Sequence, residues 1–76
     1  MTLTLETPLG ELKTSSRKAW HVVAHLPTDG LQRLTSTDTR ERGLAAWRRV
    51  CRAASPSVAV WLISSDGEVI REREAS

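Results

Sequence analysis

The chain has 76 residues, a formal net charge of +2 and a single cysteine, and these facts exclude several classes of protein. One cysteine cannot form an intramolecular disulfide, and one cysteine with two histidines is too few for the usual structural zinc sites. The sequence has neither a signal-peptide pattern nor an apolar run of about 20 residues, so we expect one cytoplasmic domain over residues 1–76 that binds no metal or cofactor and does not cross a membrane.

The N-terminal segment alternates apolar and polar residues, which is typical of short strands. In TLTLE, residues 2–6, the two leucines fall on one face, and the TPLG that follows is a turn signal. ELKT, residues 11–14, is predicted as the partner strand, and SSRK, residues 15–18, is predicted as a loop.

A second hairpin is predicted from residue 19 to residue 36. AWHVVAHL, residues 19–26, is rich in β-branched and aromatic residues and is predicted as a strand. PTDG, residues 27–30, has proline early and glycine last, as tight turns do, and LQRLTS is predicted as the returning strand.

A single helix is predicted over residues 39–54. Asp38 is the expected N-cap, and Glu41 follows it at the spacing of a capping box, with aspartate in the place of serine or threonine. Pro56 comes shortly after the last turn, as is common where a helix ends.

The C-terminal segment is predicted to form a third hairpin. SVAVWLIS, residues 57–64, is the strongest strand pattern, and Asp66 and Gly67 are expected at the two central turn positions, where a positive φ is needed. Such a turn predicts three cross-strand pairs: Ile63 with Ile70, Trp61 with Glu72, and Leu62 with Arg71. The order β-(β)-β-β-α-β-β predicts an α+β fold, with an antiparallel sheet of four or five strands packed on one amphipathic helix.

The predicted helix is amphipathic when its residues are placed at intervals of about 100°. One arc forms a core stripe of Gly43, Leu44, Trp47, Val50, Cys51 and Ala54. The opposite arc holds Arg42, Arg48, Arg49 and Arg52, together with Glu41, Ala45 and Ala46. Gly43 is expected to let the helix approach the sheet closely.

The arginine-rich arc has two interpretations, and the sequence leaves both open. It is either the solvated face of an ordinary packing helix, or a surface that binds a nucleic acid or an acidic protein. Its tightest cluster is predicted to be Arg48, Arg49 and Arg52. Three further basic residues could extend the arc only if the fold brings them near the helix: Lys13, Arg17 and Lys18.

No catalytic residues are predicted. Cys51 falls in the core stripe, where a structural thiol is expected rather than a nucleophile. His21 and His25 share a strand face, but four residues of strand separate them by about 13 Å, too far to share a metal. A histidine–cysteine pair would lack an accompanying acid, oxyanion element or glycine-rich loop, so we expect a protein that is not an enzyme.

Two predicted strands are apolar on both faces, although one helix can cover only one face of a sheet. In the strand of residues 57–64 the two faces carry Val58, Val60 and Leu62, and Ala59, Trp61 and Ile63. Either the N-terminal segment shields the second face, or an apolar strip stays exposed for a partner or for a homodimer. In the second case Trp20 or Trp61 is the expected anchor.

The order of elements resembles that of small phage-encoded anti-CRISPR proteins that inhibit type I systems. The likeness runs from TLETP, residues 4–8, through strand, turn and strand to an alanine-rich helix ending in SP and the hairpin VWLISSDGEVI. It implies a small non-catalytic protein that blocks a host defence complex by occupying a surface. Many of those inhibitors are acidic mimics of nucleic acids, whereas this chain is basic and carries three tryptophans.

The sequence therefore supports two functional hypotheses. The first is a non-enzymatic binding protein that blocks a partner complex, such as a type I CRISPR effector. Its contacts would come from the helix arginines or from the apolar strip: Arg42, Arg48, Arg49, Arg52, Trp20 and Trp61. The alternative is a small DNA- or RNA-binding module that contacts backbone phosphates through the basic helix face.

Overall fold

The structure is a computed structural model, and it describes residues 2–14 and 17–76. Within those ranges the chain forms six strands and one helix in the predicted order β-β-β-β-α-β-β: β1 (Leu3–Thr7), β2 (Gly10–Thr14), β3 (Trp20–Leu26), β4 (Gly30–Thr37), α1 (Arg40–Ala53), β5 (Ala59–Ser64) and β6 (Val69–Arg73). The α+β class is confirmed. Of the predicted loop over residues 15–18, the first two residues lie outside the described part of the chain, and the other two belong to no strand or helix.

The elements form three layers. The central layer is a four-stranded antiparallel sheet with the strand order β4-β3-β5-β6. The helix packs on one face of this sheet, and β1 and β2 form a separate two-stranded hairpin that packs on the other face. The N-terminal hairpin is therefore a layer of its own rather than part of the main sheet.

Each face of the central sheet has its own apolar core. The helix-side core is built from Val22, Ala24, Ala46, Val58, Val60 and Leu62. The hairpin-side core is built from Leu5, Val23, Trp61 and Ile63. Because both faces are covered, strands β3 and β5 carry apolar residues on both sides. Of the two alternatives left open by the sequence, the structure shows the one in which the N-terminal segment shields the second face.

The start of the helix corrects the capping prediction. The N-cap is Thr39 rather than Asp38, because Thr39 is the residue with extended backbone that directly precedes the first helical turn. Its hydroxyl accepts a hydrogen bond from the Arg42 amide at 3.2 Å. This shift of one residue places Arg42 rather than Glu41 at the third helical position, so the expected capping box does not form. The helix, Arg40–Ala53, begins one residue after the predicted start and ends one residue before the predicted end.

In the last hairpin, two of the three predicted cross-strand pairs form and the third does not. Two predicted pairs are confirmed: Trp61 with Glu72 and Leu62 with Arg71. Ile63, however, pairs with Val69 instead of Ile70. Ser64 exchanges backbone hydrogen bonds with the far side of the turn: its carbonyl accepts from the Gly67 amide, and its amide donates to the Glu68 carbonyl. Within this turn only Gly67 has a positive φ, so the turn has three residues and ends in a left-handed glycine. That turn adds one residue to β6, and Ile70 becomes the extra residue, packed against the helix-side core.

The helix wheel is largely confirmed, with one correction. Ala46 was assigned to the outer arc, but it is only 4% exposed and belongs to the helix-side core. It lies at the border of the outer arc, on the side where the helix approaches β4, so the covered arc is wider there. Gly43 is a close-contact position, because an added Cβ would lie 3.1 Å from Leu62 Cδ1 and 3.2 Å from Trp20 Cβ.

One arginine of the last strand fastens the helix to the sheet. The Arg73 guanidinium donates hydrogen bonds to the backbone carbonyls of Cys51, Ser55 and Val58, the last two at 2.7 Å. These carbonyls belong to the last turn of α1 and to the segment that leads into β5. One planar cation therefore lies at the negative end of the helix dipole and donates to three carbonyls, of which that of Ser55 also accepts from the Val58 amide.

Replacing Arg73 by alanine is expected to lower the free energy of unfolding by about 2–3 kcal/mol, because a hydrogen bond with a charged partner is worth about 1.5–3 kcal/mol and water recovers part of the rest. Arg71→Ala is the matched control, since exposed Arg71 donates only to the carbonyl of its neighbour Ile70. Its effect is expected to stay within about 0.5 kcal/mol. Urea denaturation measures both, and equal losses in the two variants would contradict the fastening role.

Candidate functional site: the arginine face of the helix

Four arginines predicted to form a binding surface lie together on the outer side of α1. We call this surface the arginine face: Arg42, Arg48, Arg49 and Arg52. All four side chains are exposed, and none of their guanidinium groups forms a hydrogen bond or an ion pair with the described residues. Each therefore presents a free planar fork of donors, which matches carboxylate and phosphate groups.

The charge of the chain is unevenly distributed between the helix and the rest. The helix holds five arginines and one glutamate, whereas the remainder holds six basic and eight acidic residues. The helix is thus net +4 and the other segments together are net −2. A modest total charge of +2 conceals a strongly basic helix, which attracts anions to that side of the molecule.

The arginine face has one small residue within it. Ala45 is exposed and lies on the wheel between the pair Arg42 and Arg49 and the pair Arg48 and Arg52. Because the alanine side chain is short, the middle of the face is less raised than its sides. A partner surface could therefore approach the helix backbone there, with the longer arginine side chains on either side of that surface.

Of the three further basic residues, Lys13 does not extend this surface. Lys13 lies on β2, in the hairpin layer on the opposite side of the sheet from α1, so it cannot join the arginine face. Arg17 and Lys18 are exposed in the segment that leads into β3.

The two tryptophans proposed as partner anchors are packing residues. Trp61 is 4% exposed beneath the hairpin, and its indole nitrogen donates to a Glu72 carboxylate oxygen at 3.0 Å. Trp20 is half-buried against the helix-side core. Trp61 belongs to the opposite side of the sheet from α1, so the structure does not bring it together with the arginine face.

A groove beside the arginine face was not predicted from the sequence. It lies between α1 and β4, has a volume of about 340 Å³, and is lined by Thr35, Ala46, Arg49, Val50 and Ala53. The signal in the sequence is the run of small residues three, four and seven positions apart next to an arginine. That signal becomes informative only once β4 is known to be an edge strand.

His21 is a fully buried polar residue of the hairpin side. Its Nδ1 shares a hydrogen bond with the Ser36 hydroxyl at 2.8 Å, and its Nε2 is buried without a hydrogen-bond partner in the described part of the chain. Burial first, and then the nearby Arg33 cation, hold the pKa of His21 below its usual value, although a contact with the Lys18 backbone opposes them. Burial therefore disfavours the charged imidazole in the folded state.

The other candidate chemical groups do not assemble into a site. His25 is exposed, and residues 2–14 and 17–76 contain no group of three histidine, cysteine or acidic side chains that could hold a metal. Cys51 is half-buried, and burial raises the pKa of its thiol, while Arg73 partly opposes that rise. Cys51 packs on the helix side and His21 lies on the hairpin side, so they do not form a pair.

Comparisons with protein-family models, with curated proteins and with solved structures find no match to this chain. Within the described ranges, α1 is a helix of 14 residues with five arginines, and no helix there has the length and apolar character that crossing a membrane requires.

The lowered pKa of His21 predicts that the protein loses stability as the pH falls. The unfolded chain takes up a proton near pH 6.5, whereas the folded chain does so only at lower pH, so the unfolded state binds more protons between these two values. Stability is therefore complete above about pH 6.5 and falls below it, by at most about 1.4 kcal/mol per pH unit.

Urea unfolding at pH 7.5 and at pH 5.5, at constant ionic strength, measures this effect. His21→Gln is expected to reduce the stability difference between the two pH values, and His25→Gln, at an exposed position of the same strand, is expected to leave that difference unchanged. An undiminished difference in His21→Gln would show that other groups cause the pH dependence.

Proposed function

We propose that this chain is a non-enzymatic binding protein that occupies an anionic surface of a partner complex through the arginine face and thereby blocks that complex. One observation carries the proposal: the four arginines of the arginine face are exposed and have no partner among the described residues, while both apolar faces of the sheet are covered. The arginine face thus offers four guanidinium groups that a partner's anions can bind.

The frame beneath the arginine face favours binding. The helix packs on the sheet through Trp47, whose indole nitrogen donates to the Val60 carbonyl at 3.2 Å, and Arg73 holds its C-terminal end. The arginine backbones therefore keep fixed spacings before a partner arrives. A surface held in this way loses less conformational freedom on binding than a flexible basic tail would.

The covered apolar faces remove the basis for a second kind of contact. The exposed apolar strip considered from the sequence would have offered Trp61 to a partner or to a second copy of the chain. Trp61 and the apolar residues around it lie beneath the N-terminal hairpin instead. A homodimer formed through this strip has no support, and the partner contact is assigned to the arginine face.

The identity of the partner rests on the resemblance to phage-encoded inhibitors. That resemblance implies a type I CRISPR effector of the host, which is a cytoplasmic complex, and a single cysteine suits the same reducing compartment. Such a complex carries both acidic protein surfaces and nucleic acid. Arginine forks bind carboxylates and phosphates alike.

The proposal is tested by reversing charge on the arginine face. The double variant Arg48→Glu with Arg52→Glu is expected to bind a purified, guide-loaded type I effector at least about tenfold more weakly, and to lose inhibition of target-DNA binding. The control variant Lys13→Glu with Arg71→Glu makes the same change of net charge at exposed positions outside the helix. It is expected to change affinity by less than about twofold.

Surface plasmon resonance on the immobilised effector measures both variants. Equal weakening in the two double variants would mean that net charge, and not the arginine face, determines binding. Absence of binding by the unaltered protein would remove the effector as the partner.

A second candidate function is a small nucleic-acid-binding module, and the charge distribution favours it. The net charge of +4 on a 14-residue helix, with Ala45 in the middle of its outer face, suits a duplex or single-strand backbone. The contacts would be with phosphates and would carry little sequence information.

Fluorescence anisotropy with a labelled duplex of about 20 base pairs and a matching single strand tests this candidate. If the four arginines of the face contact phosphates of a duplex, the logarithm of the binding constant is expected to fall with the logarithm of salt concentration with a slope of about −3 to −4. Arg48→Glu with Arg52→Glu is expected to reduce that slope by about 2. No binding at low salt would exclude the module.

A further inference from the structure

The strand β4 is an open edge of the central sheet. It pairs with β3 on one side and with no other strand of the part of the chain that the structure describes. On its free side, alternate backbone amide and carbonyl groups point outward, so an extended segment of another chain could pair with them.

The groove between α1 and β4 lies directly beside this open edge, and we call it the α1–β4 groove. Its walls are mostly small and apolar, with Ala46, Val50 and Ala53 on the helix and Thr35 on the strand. At about 340 Å³ it lies at the lower end of the range for ligand pockets, about 300–1,000 Å³. An aliphatic side chain that projected from an added strand toward the helix side would enter it.

The positive charge around the groove favours an acidic partner segment. Arg49 is part of the lining, and Arg42 lies two helical turns before it on the same side of α1. Neither guanidinium has a partner among the described residues, and the lining contains no acidic side chain. A segment that carries carboxylates next to its aliphatic residue therefore complements this surface, whereas a basic segment is repelled.

We propose that the α1–β4 groove binds a short, extended, acidic peptide segment of the partner, which pairs with β4, places one aliphatic side chain in the groove and sets a carboxylate against Arg49. This proposal rests on the proposed function and identifies the kind of segment that the arginine face recognises. The pairing supplies affinity through the backbone, and the groove and Arg49 supply selectivity.

Two other occupants fit less well. A second copy of the chain pairing through its own β4 would bring two arginine-bearing helices to the same side of a joint sheet, where they repel each other. A bulge in β4, where Leu34 is the extra residue opposite Val22 and Val23, also interrupts the edge and limits pairing to short segments. A nucleic acid would leave the apolar lining without a complement.

The test uses a labelled peptide of about nine residues in which threonine alternates with a glutamate–valine–glutamate face, so that valine and both carboxylates project to one side. We expect it to bind the unaltered protein. Arg49→Glu removes the carboxylate contact, and Ala53→Leu fills the groove at an exposed, helix-compatible position. Each is expected to weaken binding at least about tenfold.

Matched controls change the same residue types outside the groove. Arg71→Glu and Ala75→Leu alter exposed positions outside α1 that are not part of the groove lining, and each is expected to change affinity by less than about twofold. Arg48→Glu, on the arginine face but outside the groove lining, is the comparison for Arg49→Glu and is expected to weaken binding less than Arg49→Glu does. In hydrogen exchange, the β4 amides are expected to gain protection on peptide binding. A peptide methylated on alternate backbone nitrogens cannot pair with β4, so it is expected neither to bind nor to protect the β4 amides.

The outcomes separate this inference from the proposed function. If Arg48→Glu and Arg49→Glu weaken peptide binding equally and Ala53→Leu does not, the arginine face binds anions without the groove, and the groove inference is overturned. Absence of peptide binding overturns it as well. In both cases the binding measurement on the effector complex decides the proposed function independently.

Discussion

The Arg73 guanidinium joins the last strand to the end of the only helix in the described residues, and the arrangement of the molecule depends on this contact. Its donors reach three backbone carbonyls, those of Cys51, Ser55 and Val58. If Arg73 were replaced, these three carbonyls would lose a cationic donor that lies at the negative end of the helix dipole. Because the helix is anchored at that end, the arginines of its outer side are presented at fixed positions. The same residue type thus has two roles, one paired and structural, the other unpaired and exposed.

The three-layer arrangement decides which surfaces are available for binding. The helix covers one face of the central sheet and the N-terminal hairpin covers the other, so the apolar residues of β3 and β5 are used for packing. The surfaces left exposed include the arginine face and the open edge of β4 next to it. These two features share Arg49, which is exposed on the helix and also lines the α1–β4 groove. A partner that used both would combine charge contacts with backbone pairing, which gives more selectivity than charge alone.

The local features of this fold could be predicted from the sequence, and the long-range ones could not. Alternation and turn residues located all six strands, and the helix wheel separated the arginines from the core, because these properties depend on neighbours a few residues apart. The prediction that Ala46 lies on the outer arc was wrong, because the burial of Ala46 depends on how the helix tilts toward β4. The predicted pairing of Ile63 with Ile70 was wrong because the sequence SDGE suits both a two-residue and a three-residue turn. The role of Arg73 could not be predicted, since the carbonyls it contacts lie 15 to 22 residues away in the chain.

The claim that Arg73 is held by three carbonyls, while the arginines of the arginine face have no partner among the described residues, is tested most directly by arginine-selective chemical modification. The folded protein is modified and read residue by residue with mass spectrometry. Phenylglyoxal reacts with accessible guanidinium groups. We predict that Arg42, Arg48, Arg49 and Arg52 react at least about tenfold faster than Arg73, whose reaction requires local opening of the chain, and that this difference disappears in urea. Equal rates in the folded protein, or protection of the helix arginines without a partner, would contradict the account.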